Sequence, residues 1–100
     1  MVTVIPVQLE GGTAIGTMVE LPKARVLSIS TQKGFIMCGI LNVPILDQLH
    51  PERRVVAAVV IGVREIADLL HAKIVDATQE ARKLGIKEGM TGKEALEKMF

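Results

Sequence analysis

Cys38 is the side chain in this sequence with the chemistry of a nucleophile. It precedes Gly39 near the end of an apolar stretch, where an open glycine amide would face an oxyanion and His50 or His71 would act as the base. A structural role competes with this one, because a buried cysteine behaves as a small hydrophobic residue and no sequence neighbour is a cation that would activate the thiol. The structural interpretation is favoured, and a cysteine-dependent enzyme is the alternative.

Arg64 is the best candidate for binding a small anion, because it follows Gly62 at the end of a second apolar stretch. A guanidinium beside free backbone amides at a helix start would bind a carboxylate or a phosphate. Gly39 and Gly62 join Arg64 as candidate ligand-binding residues, although a strand glycine is also explained by a bulge or a close backbone approach. The alternatives for Arg64 are an intrahelical pair with Asp68 and a contact across a subunit boundary.

The two histidines do not predict a metal site, since neither His50 nor His71 has a second ligand at helical spacing in a recognisable motif. Asp47 precedes His50 by three residues, and a surface hydrogen bond between them is favoured over a ligand set. The glycines after residue 84 depart from a phosphate-binding loop, because Lys87 and Glu94 replace its glycine and its hydroxyl residue. The sequence therefore predicts no metal and no cofactor.

Charge is distributed unevenly along the chain. Residues 1–50 contain six charged side chains and residues 51–100 contain 17, although the two halves are almost equally apolar. A small domain keeps its outer faces hydrated, so the half with few charges is predicted to be covered by something other than water. Another copy of the same chain is the simplest cover, and a homo-oligomer is therefore expected.

The composition excludes several other classes of protein. The 100 residues are 49% apolar and 23% charged, which predicts one globular domain over residues 1–100. The net charge is only +1 and two residues are aromatic, so no nucleic-acid partner is expected. A single cysteine favours a reducing cytoplasm. The start of the chain does not resemble a secretion signal, and no apolar run is long enough for a membrane span, so no membrane partner is expected.

The local patterns predict an α+β domain. Residues 1–41 form the β-rich oligomerisation region, and residues 42–100 combine helices with a further strand. Strands are predicted over residues 2–9, 13–21, 24–30, 35–40 and 55–61, with a tight primed hairpin turn after the first. Helices are predicted over residues 43–49, 64–70, 74–84 and 91–99, the last opened by a capping box of Thr91 and Glu94. The first four strands are predicted to form an antiparallel meander. Helices are expected to pack on one face of the sheet, because two of the strands are apolar on both sides.

Three segments together resemble the YunC-like family, a bacterial and archaeal domain of unknown function. They cover residues 34–39, 62–64 and 84–96, and their order and spacing extend the resemblance over essentially the whole chain. The resemblance implies an α+β domain whose N-terminal β region mediates tetramerisation, and it implies no reaction and no catalytic residues. The expectation is a cytoplasmic, homotetrameric assembly or small-anion-binding module without established activity.

Overall fold

Six strands form one sheet in the order in which they follow one another along the chain, within the residues that the computed structural model describes, 1–49 and 51–100. They are β1 Val2–Leu9, β2 Gly12–Leu21, β3 Ala24–Ser30, β4 Gly34–Met37, β5 Val56–Val60 and β6 Ile74–Ala77. Neighbouring strands are antiparallel except for β4 and β5, which are parallel. The predicted α+β class and the N-terminal meander are thus confirmed.

Four short helices complete the described fold: α1 Val43–Leu49, α2 Asp68–His71, α3 Gln79–Lys83 and α4 Gly92–Glu97, with a 3-10 turn at Pro51–Arg53. Two start as their sequence predicts. Asn42 accepts a hydrogen bond from the amide of Ile45 at the start of α1, 3.2 Å away. Thr91 and Glu94 form the predicted capping box at the start of α4.

The predicted helix over residues 74–84 is wrong, because residues 74–77 form the edge strand β6. Ile74 and Ala77 have a spacing that suits a helix, but they pair with Val60 and Ala58 of β5 and are buried against the core. Thr78 separates the strand from α3. Its buried hydroxyl donates to the carbonyl of Val55 at 2.6 Å and accepts from the amide of Ala81 at 3.2 Å, so it caps the helix from inside the protein.

Smaller differences concern the ends of elements. The helix predicted from residue 64 begins only at Asp68, after a series of tight turns. The fourth strand ends at Met37, three residues earlier than predicted. The first hairpin closes through Glu10 and Gly11, neither of which has a positive φ, so the turn is not of the primed type. The positive angle, 150°, lies instead at Gly12, the first residue of β2.

The sheet has two faces of different character. On the covered face, α2, α3 and α4 pack over the core, and the side chains that point toward them include Leu27, Ile29, Ile36, Ala58 and Val60, which are buried. Alternation along the paired strands places the other side chains of β1–β4 on what we call the open face. The open face consists of Val2, Val4, Pro6, Gln8, Thr13, Ile15, Thr17, Val19, Leu21, Ala24, Val26, Ser28, Ser30, Phe35 and Met37. None of these side chains is charged.

The end of the chain fastens the first hairpin to the helical half. The carboxylate of Glu97 accepts hydrogen bonds from the amides of Glu10 and Gly11, at 3.0 and 3.2 Å. The ring of Phe100 lies so close to Gly11 that a β-carbon there would be 2.7 Å from a ring carbon. A larger residue at this turn would therefore have to displace the ring of Phe100.

We expect Gly92→Ala to destabilise the protein, although alanine is intrinsically the better helix former. A β-carbon at Gly92 would lie 1.8 Å from the carbonyl oxygen of Leu69, so α4 would have to move away from α2. Overpacking of this kind costs about 1–3 kcal/mol and outweighs the gain of up to about 1 kcal/mol in helix propensity. Urea unfolding should show the loss. Lys93→Ala, on the exposed neighbouring residue, is the control and should change stability by less than about 0.5 kcal/mol. An unchanged unfolding midpoint for Gly92→Ala would contradict this packing.

Candidate functional site

Cys38 is packed into the core next to β3. Its side chain is 8% exposed, and its sulfur lies 3.5 Å from the amide of Leu27 and 4.0 Å from the carbonyl of Arg25. Both the accepting and the donating capacity of the thiol are therefore directed at backbone groups. Of its proposed bases, His71 is exposed on α2 and His50 lies outside the described residues. These surroundings suit a structural cysteine, and the catalytic role stays a prediction.

The amides predicted to be free beside Arg64 are occupied. The carboxylate of Asp68 accepts hydrogen bonds from the amides of Arg64 and Glu65, both at 3.0 Å. The bond from Arg64, followed by that from Glu65, lowers the pKa of Asp68 below its ordinary value of 3.8. The stability that this turn contributes is present above the ordinary pKa and is lost as the pH falls through the lowered one. Asp68 thus holds the backbone at Arg64 in place at neutral pH.

The guanidinium of Arg64 has no hydrogen-bond or ion-pair partner among residues 1–49 and 51–100, and it is exposed between two surface grooves. The first groove, of about 580 Å³, also contains Arg25. That cation is already compensated, because it contacts Glu65 at 2.9 Å, Glu20 at 3.7 Å and the carbonyl of Arg64 at 3.0 Å. Arg25 itself therefore adds little uncompensated positive charge to the first groove, which Lys23 and Arg64 also line.

The second groove, which we call the Arg64 groove, has a volume of about 610 Å³. Gly62, with φ of 75°, lines it together with Arg64, so the structure brings these two predicted residues together. His71 and Lys73 add further basic groups. Apolar side chains of Ile61, Val63 and Val75 complete the walls. Gly39 lies instead in a separate groove beside Ile40 and α1. Whether any of these residues binds a ligand stays a prediction.

The open face carries several exposed apolar side chains. Val2 and Val4 are each 63% exposed, Ile15 is 52% exposed and Leu21 is 49% exposed. The scarcity of charges in residues 1–50 predicted such a surface but not its composition. Ile36, at the centre of the most apolar predicted strand, lies on the covered face and is fully buried.

Asp47 has a structural role in the described protein. Asp47 accepts hydrogen bonds from the amide of Gln79 through both carboxylate oxygens, at 3.2 and 3.3 Å, and so joins α1 to α3. No cluster of three or more histidine, cysteine or acidic side chains suited to a metal ion occurs among the described residues. The helices found there are also too short or too polar to traverse a lipid bilayer.

Comparison with known proteins gives three similarities. The family described as "Domain of unknown function (DUF1805)" matches residues 37–99. The uncharacterized protein YunC of Bacillus subtilis (strain 168) is 42% identical over 100 residues, which span the whole of this chain and 99% of that protein. The crystal structure of a protein of unknown function from Thermoplasma acidophilum superposes with a TM-score of 0.88 at 31% identity, over 100% of this chain and 94% of that one. None of these descriptions specifies a reaction.

We expect Cys38 to resist alkylation in the folded protein, because its sulfur is buried against the backbone of β3. Native protein should react with iodoacetamide near neutral pH much more slowly than a short cysteine peptide, and at the same rate as the peptide after unfolding in urea. Mass spectrometry measures both rates. A native rate equal to or above that of the peptide would contradict this expectation and would favour the catalytic alternative.

Proposed function

Since this chain belongs to the DUF1805 family of domains of unknown function, we propose that it works by self-assembly, with copies joined through the open face into a cytoplasmic homotetramer. The observation that carries the proposal is the absence of charge from the open face, together with the high exposure of Val2, Val4 and Ile15. Contiguous apolar surfaces of this kind mark interaction sites in soluble proteins. The cytoplasmic location rests on the single Cys38.

The size of the open face suits a pair of subunits. Strands lie about 4.8 Å apart and rise about 3.3 Å per residue, so four strands of up to about eight residues give a face on the order of 500 Å². Two such faces in contact bury on the order of 1,000 Å², which is the lower limit for a specific interface. Side chains at the margins would add to this area.

A second copy of the chain is the partner that this chemistry favours. An uncharged surface has no means of selecting a charged partner, whereas two identical sheets can pack face to face about 10 Å apart. A two-fold axis makes such a contact self-complementary. Where residue i of one copy contacts residue j of the other, residue j of the first copy also contacts residue i of the second. The alternating small and branched side chains of Thr17, Val19 and Ser28 can interdigitate in this arrangement.

Face-to-face packing is favoured over pairing through the edge of the sheet. The carbonyl of Met1 accepts from the amide of Glu20 at 2.8 Å, so odd-numbered residues of β1 form the hydrogen-bonded pairs with β2. Pro6 therefore directs its nitrogen outward, where an added strand would need a donor. Proline at the middle of the outer edge interrupts any continuous pairing with another strand.

A tetramer with two-fold symmetry needs a second interface. Ile40 and Ile61 are each 60% exposed and Val75 is 43% exposed, and all three lie around the groove at the end of β5. This second apolar patch shares no residue with the open face, so it can join two dimers without competing with it. Ile61 and Val75 also line the Arg64 groove, so that groove would then lie at the interface between dimers.

We expect light scattering to give a mass of about 43 kDa for the wild type, four times the 10.8 kDa chain. Val4→Asp and Ile15→Asp should each release smaller species. An unpaired carboxylate at the centre of a buried face costs about 3 kcal/mol or more, which weakens association on the order of 100-fold. Both side chains are exposed within one subunit, so the variants should remain folded.

Leu84→Asp is the matched control, because Leu84 is a 40% exposed apolar residue at the end of α3, away from the open face. It should keep the wild-type mass. A wild-type protein that stays a single chain at micromolar concentration would refute assembly. Variants of Val4 and Ile15 that keep the wild-type mass would instead exclude the open face as the interface.

Small-anion binding in the Arg64 groove is a second candidate function. Its support is the unpartnered guanidinium of Arg64, with His71 and Lys73 lining the same groove. The acidic side chain there, Asp68, is hydrogen-bonded to two backbone amides, and its negative charge offsets part of the charge of Arg64. Apolar walls beside a guanidinium suit a small carboxylate, which arginine binds through two parallel hydrogen bonds. No observation favours the cysteine-dependent enzyme.

We expect a fitting carboxylate to raise the thermal stability of the protein, and acetate and succinate are the first probes. A ligand at a hundredfold excess over its dissociation constant stabilises by about 2.7 kcal/mol. Arg64→Gln should abolish this gain, whereas Lys87→Gln, on an exposed residue, should preserve it. Equal stabilisation of the wild type and Arg64→Gln would show that the gain does not come from this groove.

A further inference from the structure

We propose that Lys33, Arg53 and Arg54 form a second anion site, the basic cleft, which binds the phosphate group of a small phosphorylated compound. The site lies apart from the Arg64 groove, with which it shares no lining residue. It does not depend on binding at Arg64. Ser30 and Phe35 belong both to its lining and to the open face, so assembly would bring a second copy to the margin of the cleft.

The parallel pairing of β4 with β5 brings the three cations together. Parallel strands begin at the same end of a sheet, so the residues that precede them lie side by side. Lys33 immediately precedes β4, and Arg53 and Arg54 lie three and two residues before the start of β5. The backbones of β4 and β5 approach each other very closely here, because a β-carbon on Gly34 would lie 2.4 Å from the carbonyl oxygen of Val56.

The basic cleft carries an excess of positive charge. Its volume is about 260 Å³, and the cations share its lining with Ser30, Thr31 and Gln32. None of the lining residues described is acidic. Glu52 adjoins Arg53 in the chain but is not one of them.

The ion pair between Arg54 and Glu80 is weak. Glu80 lies 4.0 Å from Arg54, whose side chain is 82% exposed, and the same carboxylate contacts Lys83 at 3.2 Å. Exposed pairs of this kind contribute about 0–1 kcal/mol. The cleft therefore keeps most of its positive charge available for a ligand.

The backbone around the basic cleft is held in one arrangement. The amide of Thr31 donates to the carbonyl of Gly34 at 2.7 Å, and the hydroxyl of Thr31 donates to the carbonyl of Met99 at 2.8 Å. The amides of Lys33 and Gly34 in turn donate to that hydroxyl, both at 3.3 Å. On the other side, Arg54 has a φ of 51°, an angle that residues other than glycine seldom adopt and that occurs preferentially at functional sites.

The charge and the walls of the basic cleft indicate the class of ligand. Two guanidinium groups and an ammonium group suit a phosphate dianion better than a single carboxylate, because arginine matches the geometry of phosphate oxygens. Phe35, Val55 and Val56 add an apolar wall beside the cations. A phosphate ester can use both surfaces, whereas inorganic phosphate can use only the cations.

Calorimetric titration with glycerol 3-phosphate and with inorganic phosphate at low ionic strength tests the proposal. The wild type should bind both, and the ester about fivefold more tightly, because its carbon chain reaches the apolar wall. Lys33→Gln combined with Arg53→Gln should weaken binding of the ester by about tenfold or more. Lys87→Gln combined with Lys93→Gln removes the same charge elsewhere and should change the affinity less than about twofold.

Amide shifts in wild-type NMR spectra provide a measurement that does not depend on the folding of any variant. Added glycerol 3-phosphate should move the signals of Lys33, Gly34, Arg54 and Val55 most strongly. Failure of both anions to bind at millimolar concentration would overturn the proposal, as would equal losses in the two double variants. Equal affinity for the two anions would overturn the assignment to a phosphate ester. Light scattering on the cleft variants should still give the wild-type mass, which separates this test from that of assembly.

Discussion

Side chains alternate between the two sides of a strand, and in this protein the two sides of the sheet have different surroundings. One side is buried beneath α2, α3 and α4, and its residues Leu27, Ile29 and Ile36 form the core with them. The other side of β1–β4 has no charged residue, whereas the covered side has Glu20 and Arg25 at its margin. The alternation of side chains along the strands thus produces a buried core on one side and an exposed apolar surface on the other. The assembly proposal depends on this asymmetry.

The parallel step between β4 and β5 is the second constraint, because it separates the two groups of basic residues. A parallel connection must return to the starting end of the sheet, and α1 makes part of that crossover. As a result, Lys33 and Arg53 meet where the two strands begin, whereas Arg64 follows β5 at the opposite end. The two candidate anion sites therefore lie at opposite ends of these strands.

Contacts between the end and the beginning of the chain join the halves of the fold. Glu97 binds the amides at the tip of the first hairpin, and Thr31 binds the carbonyl of Met99. Gly92 allows α4 to touch the backbone of α2. These contacts join the helices on the covered face to the sheet.

Interactions between near neighbours were accessible from the sequence. The three strands of the N-terminal hairpins, the cap at Asn42 and the capping box at Thr91 each depend on residues close in the chain, and their positions were predicted to within one residue. The scarcity of charge in the first half also indicated an unusual surface.

Pairings between distant segments were decided only by the tertiary structure. Residues 74–77 have a spacing that fits a helix, and only hydrogen bonds to β5 make them a strand. The same limit applies to Cys38, whose burial depends on β3, and to Lys33 and Arg53, which meet through a parallel pairing that local patterns do not encode. The physical reason is that the period of a strand fixes which residues share a face, whereas the neighbour that covers that face is fixed by contacts far away in the chain.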